Sequence, residues 1–327
     1  MSAALLVRVL RDPAVAAGLD AAGWNGLLAA ARAERLIGTL AYRLDDAPAQ
    51  ARPILDDARR DTAREAQQAL WEADRAALAL APLGVPVVLL KGTAYAAAGL
   101  KAGQGRFIGD LDILVPREAM PAVEQALIAA DWEWVKEDAY DDAYYRQWMH
   151  ELPPMIHVER DRLIDVHHTI LPLTARQTPD AAALIAAAIP ISDGLYILSG
   201  EDRIVHAAAH MLADGDLQGG LRNLWDIYCL LPDADPVALQ ARAAHHGLGA
   251  HVAQARRLAA ALYGDGARLT VWDRIVRARL LARDGWGRET RKLLVFAFYL
   301  RSHWLRMPPL MLARHLWTKW RKGHRPQ

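Results

Sequence analysis

Two aspartates, Asp110 and Asp112, are spaced so that they can bind a metal ion together. They lie in the segment GDLDILV, where apolar residues alternate with the acids as in a β-strand. Residues two apart in a strand point to the same face. Because neighbouring carboxylates repel each other unless a cation lies between them, the spacing predicts a cation site on this strand.

A third carboxylate, Asp165, follows in the segment MIHVERDRLIDVHHTI, which reads as two strands joined by a turn. It shares a face with His167, and an unpaired charge in the middle of a sheet strand is costly. If this strand pairs with the one that carries Asp110 and Asp112, three acids converge as the oxygen ligands for a pair of magnesium ions in nucleotidyl transfer. Asp165 would then orient or deprotonate the acceptor hydroxyl, and His167 would hydrogen-bond Asp165 or the acceptor.

The first acidic strand is preceded by elements that must position it. The apolar run from Val85 to Leu90 predicts a strand covered on both faces. Gly92 then permits a tight turn, and Thr93 is the expected N-cap of a short helix that ends near Leu100. The return loop contains three glycines that we expect to make it mobile enough to lie against a ligand: Gly103, Gly105 and Gly109.

The same segment supplies groups suited to a triphosphate. The backbone amides of Gly92 and Thr93, at a helix N-terminus, can bind phosphate, and Gly109 is a further candidate for nucleotide binding. Lys91 or Arg106 could neutralise charge that develops on the transferred group. The structural alternatives are a solvated strand end for Lys91 and a salt bridge to one of the acids for Arg106.

The order of these motifs resembles the uncharacterised bacterial branch of the polymerase-β-like nucleotidyltransferase superfamily. The shared pattern is a strand, LKGT, a helix, R-x-x-G-D-x-D-x-x-V and a later I-D-x-H, and it covers roughly residues 85–170. The wider superfamily usually has Gly-Gly or Gly-Ser at the turn, where this chain has Lys-Gly-Thr, and the spacer to Asp110 is longer here than usual. The resemblance implies family roles for Gly92, Asp110, Asp112 and Asp165, with the three acids as catalytic and metal-binding residues.

The resemblance also implies the cofactors and the fold. We expect Mg²⁺ or Mn²⁺ and a nucleoside triphosphate donor, with ATP first. The expected fold is α+β, with a nucleotidyltransferase core at residues 82–175 built on a small mixed sheet. Helical regions at residues 1–81 and 176–327 flank this core. In the core, a helix at residues 116–130 and a strand at residues 132–135 are expected to lie beside the acidic strand.

Two features of the C-terminal region leave alternatives open. His206 and His210 form an i, i+4 pair that can ligate zinc, but further ligands are missing, so a packed or cleft-facing pair is favoured. Residues 301–327 contain seven Lys or Arg residues and no acid. A basic amphipathic helix at residues 310–322 would contact a membrane surface or a partner, although docking on its own helical region is favoured.

The composition bounds the function. The chain of 327 residues has 53% hydrophobic and 24% charged residues, as expected for a soluble protein, and its net charge of +1 argues against bulk binding of nucleic acid. A single cysteine, Cys229, and no apparent signal peptide favour the cytoplasm. The sequence thus predicts a metal-dependent enzyme that moves a nucleoside monophosphate to an unknown acceptor: a small molecule, a glycan precursor or a peptide. The alternatives are a catalytically silent nucleotide-binding module and a membrane-associated accessory protein.

Overall fold

The computed structural model describes residues 2–135 and 139–307, in which helices surround one β-sheet. The α-helices of this part of the chain are α1 (Ser2–Arg11), α2 (Ala21–Ala33), α3 (Ile37–Arg43), α4 (Arg52–Leu80), α5 (Lys91–Ala97), α6 (Met120–Ala129), α7 (Ala139–Trp148), α8 (Ala181–Ala186), α9 (Gly200–Ala208), α10 (Gly220–Leu230), α11 (Pro236–His245), α12 (Gly249–Tyr263), α13 (Val271–Leu280) and α14 (Lys292–Arg306). Short 3₁₀ segments occur at Pro13–Gly18, Ala81–Leu83, Lys101–Gly103, Arg117–Ala119 and Leu231–Asp233, and a π-helical turn occurs at Ala209–Asp214.

The sheet is mixed and has seven strands in the described residues. They are β1 (Val87–Leu89), β2 (Asp110–Leu114), β3 (Trp132–Trp134), β4 (Met155–His157), β5 (Leu163–His167), β6 (Ile189–Ser192) and β7 (Leu195–Ile197), in the spatial order β3-β4-β5-β2-β1-β7-β6. Strands β2 and β5 are parallel, as are β1 and β7, and the other pairs are antiparallel. The predicted α+β class with a mixed sheet is confirmed.

Two details of the predicted topology were wrong. The hairpin of β6 and β7 lies in a region predicted to be wholly helical, and β7 adds to the sheet by pairing with β1. The strand that follows α6 does not lie beside the acidic strand, because β5 and β4 separate β3 from β2. Both differences arise from pairings between distant segments, which local patterns do not specify.

Helix α4 covers the sheet and fixes the turn between β4 and β5. It packs against α5, α6, β1, β2 and β7. Its buried Glu72 accepts hydrogen bonds from both Nε and Nη2 of Arg160 in that turn, at 2.9 and 3.0 Å. Glu65 of α4 pairs with Arg162 at 3.1 Å. These ion pairs position the strand that carries Asp165.

The N-terminal and C-terminal helices also contact each other. Helix α1 packs on α2 and on α12, and their apolar residues belong to the same buried cluster as the sheet. Within residues 2–135 and 139–307, no helix has both the length and the apolar character needed to cross a bilayer. The basic segment at residues 310–322 lies outside the described residues.

Candidate active site

The pairing of β2 with β5 brings three carboxylates together. In the parallel register Asp112 lies directly opposite Asp165, and Asp110 is two residues before Asp112 on the same face. One oxygen from each of the three lies within 4.8 Å of the others. The pairing expected from the sequence is therefore confirmed, and the three side chains are close enough to bind one cation.

Asp112 is the buried centre of this group, with 2% of its surface exposed. Its Oδ1 accepts a hydrogen bond from Lys91 Nζ at 2.6 Å and lies 3.0 Å from His167 Nε2. Burial alone would raise the pKa of Asp112, but the charge of Lys91 and the hydrogen bond from His167 hold it far below its ordinary value. Asp112 is therefore ionised, and its second oxygen, Oδ2, takes part in neither contact.

Asp165 behaves in the opposite way. Burial and the nearby charges of Asp112 and Glu151 raise the pKa of Asp165 from 3.8 to about 7. Repulsion between carboxylates that share a site has this effect, and a divalent cation removes it. Asp110 lies at the exposed end of the group. The carboxylate set thus fits a hard cation that prefers oxygen ligands.

Lys91 is held in an unusual backbone conformation. Its φ is +47°, in the left-handed region that residues other than glycine and asparagine rarely adopt. Helix α5 begins at Lys91 and its N-cap residue is Leu90, so the prediction that Thr93 caps this helix was wrong. Burial disfavours the charged ammonium, yet the attraction of Asp112 prevails and raises the pKa of Lys91. Lys91 therefore presents a positive charge beside the carboxylates.

Gly92 and Arg106 are fitted to each other. A Cβ atom on Gly92 would lie 2.7 Å from Arg106 Nε, so only glycine leaves room for this side chain. Arg106 forms a salt bridge to Asp226 of α10, and its guanidinium carbon lies 5.7 Å from the ring centroid of Tyr95. The expected alternative, a salt bridge from Arg106 to one of the three acids, was wrong. Arg222 joins the same network, since its Nε donates to Asp226 Oδ1 at 3.0 Å.

A narrow polar pocket lies next to Lys91 and Arg106. With about 20 Å³ of space it has room for little more than a water molecule. His206 and His210 line it, the latter from the π-helical turn, in keeping with the expected packed or cleft-facing pair. Burial and the charge of Lys91 lower the pKa of His210 to about 3, so its ring is neutral. Neither of the two three-residue ligand groups in the described part of the chain includes these histidines.

The return loop is more closely packed than its glycines predicted. A Cβ on Gly105 would lie 2.4 Å from the carbonyl carbon of Gly38, and one on Gly103 would lie 2.9 Å from the backbone of α5. The expectation of a mobile loop was therefore wrong for these two positions, where backbone segments approach closely. An added Cβ on Gly109, just before Asp110, meets open space.

Two residues near the acids were missed as site candidates. Glu151 Oε2 lies 3.3 Å from His167 Nδ1, and His150 lies next to Glu151 with its ring centroid 5.1 Å from that of His167. Because Glu151 lies in an irregular segment, only the three-dimensional contact with His167 reveals it.

Comparison with known proteins agrees with this geometry. The profile of a family described as "Uncharacterised nucleotidyltransferase" matches residues 20–264, about three quarters of the chain. No curated protein matches the sequence. Three converging carboxylates are able to hold the divalent metal that many phosphorus-group transferases use. The chain belongs to the uncharacterised nucleotidyltransferase family, and its class is that of a transferase.

Proposed function

We propose that the protein transfers a nucleoside monophosphate from a nucleoside triphosphate to a hydroxyl of an acceptor, with Mg²⁺ or Mn²⁺ bound by Asp110, Asp112 and Asp165. The observation that carries this proposal is the register of Asp112 against Asp165, which brings three carboxylate oxygens within 4.8 Å. ATP is the donor to test first. A polymerase-β-like origin of the fold is part of the same proposal.

The residues present fit the metal that this chemistry uses. The three carboxylates lie beside the ammonium of Lys91, and burial together with the charges of Asp112 and Glu151 raises the pKa of Asp165. A bound divalent ion would supply charge neutralisation for the triphosphate oxygens. Lys91, fixed beside Asp112, would neutralise further charge on the triphosphate, and Arg106 would hold Gly92 and the start of α5 in position.

The proposed reaction is a displacement at the α-phosphorus. The acceptor oxygen forms a bond to this phosphorus while the bond to the α,β-bridging oxygen breaks, and pyrophosphate leaves. The proton of the acceptor hydroxyl goes to a carboxylate oxygen of Asp165, which β5 presents opposite Asp112. Asp112 stays ionised throughout, because Lys91 and His167 stabilise its charge.

One observation favours a second candidate, a nucleotide-binding module without transfer. Lys91 Nζ lies 2.6 Å from Asp112 Oδ1 and so occupies one of the two oxygens of this carboxylate. If this contact persists with nucleotide bound, the ammonium competes with the metal for Asp112. A module of this kind would bind triphosphate but release no pyrophosphate.

The experiment compares binding with turnover in the parent and in Asp165→Ala. Nucleotide affinity is measured by calorimetry with Mg²⁺, and turnover is measured as pyrophosphate release from labelled triphosphates with candidate acceptors or by self-modification. Asp110 and Asp112 can hold the triphosphate metal without Asp165, so affinity should change only a few-fold. Transfer should fall by roughly 10²-fold or more, the scale of a lost base or charge stabiliser.

Each outcome decides between the candidates. Turnover in the parent that Asp165→Ala abolishes supports transfer. Tight binding without turnover of any triphosphate with a validated acceptor favours the binding module. Equal turnover in parent and Asp165→Ala removes Asp165 from the proposed mechanism.

A further inference from the structure

A second group of possible metal ligands lies behind the three aspartates. It consists of His150, Glu151 and His167, whose ligand atoms lie within 4.8 Å of one another. Glu151 Oε2 is 3.3 Å from His167 Nδ1 and 3.7 Å from His150 Nε2. The group combines two imidazoles with a carboxylate, whereas the three aspartates offer oxygen alone.

The backbone forces these side chains together. Residues 150–152 run antiparallel to β5, with an isolated bridge between Glu151 and His167. The amide of His168 donates to the carbonyl of His150 at 2.9 Å, and the amide of Leu152 donates to that of Val166 at the same distance. The cluster is therefore a product of strand pairing and does not depend on flexible surface side chains.

Two ring nitrogens in this cluster are buried without a hydrogen bond to any described residue. They are Nδ1 of His150 and Nδ1 of His167. His167 Nδ1 lies close to Glu151 Oε2, but the two atoms are not aligned for a hydrogen bond. Nε2 of His167 is directed at Asp112, so Nδ1 is the ring nitrogen that faces Glu151. A buried nitrogen without a hydrogen bond beside a carboxylate is a position that a bound cation can satisfy.

The distances match a small divalent ion with nitrogen ligands. A tetrahedral zinc site with bonds of 2.0–2.1 Å has its ligand atoms about 3.4 Å apart. The observed separations of 3.3 and 3.7 Å from Glu151 are close to this value. A proton on His167 would satisfy the contact with Glu151, but it would leave His150 without a role. A metal ion can bind one ligand atom from each of the three side chains.

The surroundings supply the other parts of such a site. A histidine that ligates a metal usually donates its second ring N–H to a carboxylate, and His167 has this partner in Asp112. Glu151 also lines a pocket of about 210 Å³ beside α6 and α7, which gives an ion a path from solvent. Four carboxylates lie around the one ammonium of Lys91, and this excess of acidic groups favours bound cations.

We propose that His150, Glu151 and His167 bind a zinc-type divalent ion, separate from the Mg²⁺ or Mn²⁺ of the three aspartates. The two ligand sets select different metals, because imidazole favours zinc and related ions while carboxylates alone favour magnesium and manganese. The ion fixes the ring of His167 and through it the orientation of Asp112. This site does not depend on nucleotidyl transfer, so a protein that transfers nothing would still bind zinc.

The test measures zinc in the full-length protein. The chain is stripped with chelator, loaded with Zn²⁺, passed through a desalting column and analysed by elemental mass spectrometry. We expect close to one equivalent of zinc in the parent and in Asp110→Asn, which lacks one of the three aspartates. His150→Ala and Glu151→Gln should lose most of this zinc, with affinity reduced by roughly 100-fold or more. His245→Ala, at a half-exposed histidine of α11, should keep it.

Co²⁺ serves as a spectroscopic probe of the same site. The parent should give the visible bands of a four- or five-coordinate ion, and Glu151→Gln should not. If His150→Ala fails to fold, as judged by circular dichroism, the nearly isosteric Glu151→Gln decides. A parent without retained zinc, or ligand variants that retain as much as the parent, would overturn the proposal.

Discussion

Replacing Asp165 by asparagine tests whether the carboxylates repel each other as their spacing indicates. Because the pKa of Asp165 is raised from 3.8 to about 7, the folded protein holds this proton more tightly than the unfolded chain does. Below about pH 4 the carboxyl is neutral in both states and has no effect on stability. As the pH rises from about 4 to 7, the unfolded chain loses its proton first, so the free energy of unfolding falls. Above about pH 7 the full cost is present.

The size of the effect follows from the shift. About three pH units at 1.36 kcal/mol each give an upper limit of about 4 kcal/mol. Solvent reaches the partly exposed side chain and screens part of the repulsion, so we expect Asp165→Asn to stabilise the metal-free protein by about 1–3 kcal/mol at pH 8. Near pH 4 the two proteins should unfold at nearly the same denaturant concentration.

The assay is urea unfolding in the presence of chelator at pH 4, 6 and 8, followed by circular dichroism. Asp265→Asn, at an exposed position between two glycines, is the control and should change stability little at any pH. Adding Mg²⁺ should stabilise the parent more than Asp165→Asn, because the ion offsets a repulsion that the variant lacks. A stability difference that is absent at pH 8, or that is equal at pH 4 and pH 8, would refute the inference that the three carboxylates share one site.

Three further predictions concern the site and its support. The apparent affinity for Mg²⁺ should fall by up to tenfold per pH unit below about pH 7, because the metal must displace the proton of Asp165. Titrations with Mg²⁺ at pH 6, 7 and 8 measure this affinity, and a constant value would contradict the prediction. Gly92→Ala should destabilise the fold by about 1–3 kcal/mol in urea unfolding, since its Cβ would lie 2.7 Å from Arg106 Nε. Asp226→Ala should lower the free energy of unfolding by about 3–5 kcal/mol in the same assay, because it leaves Arg106 and Arg222 buried without their carboxylate. A decrease of less than about 1 kcal/mol would show that both arginines find other partners.

The acidic strands could be predicted because strand periodicity is a local property. The alternation of Asp110, Leu111, Asp112 and Ile113 fixes which side chains share a face, whatever the rest of the fold does. An acid in the middle of a sheet strand is costly unless it shares a cation with other acids, and this cost predicted that β5 pairs with β2. In the structure Asp165 lies in register with Asp112. Local alternation and the cost of a buried charge together predicted the centre of the site.

The hairpin of β6 and β7 was missed for a physical reason. Its strands have four and three residues, and Pro190 and Gly194 resemble the helix breaks found elsewhere in the region. The strand character of Leu195–Ile197 depends on pairing with β1, which lies more than 100 residues earlier in the chain. Short strands take their conformation from such partners more than from their own propensities.

The network around Arg106 was also beyond local patterns. Its partner Asp226 lies 120 residues away on a helix. The sequence offered a salt bridge to one of the three acids only as the structural alternative for Arg106, and no local pattern points to Asp226. Glu151 was missed in the same way, because its contact with His167 bridges an irregular segment and a strand.

These long-range contacts make the site a joint product of the sheet and the helices around it. Asp226 of α10 holds Arg106, Arg106 fills the space that Gly92 leaves, and Gly92 follows the strained Lys91 that contacts Asp112. Arg222 extends the chain of contacts to α3 through the hydroxyl of Thr39. Since the ammonium beside the carboxylates depends on this series, a change in α10 can alter the charge balance at Asp112 without touching a carboxylate. The helical regions therefore support the electrostatics of the site as well as covering the sheet.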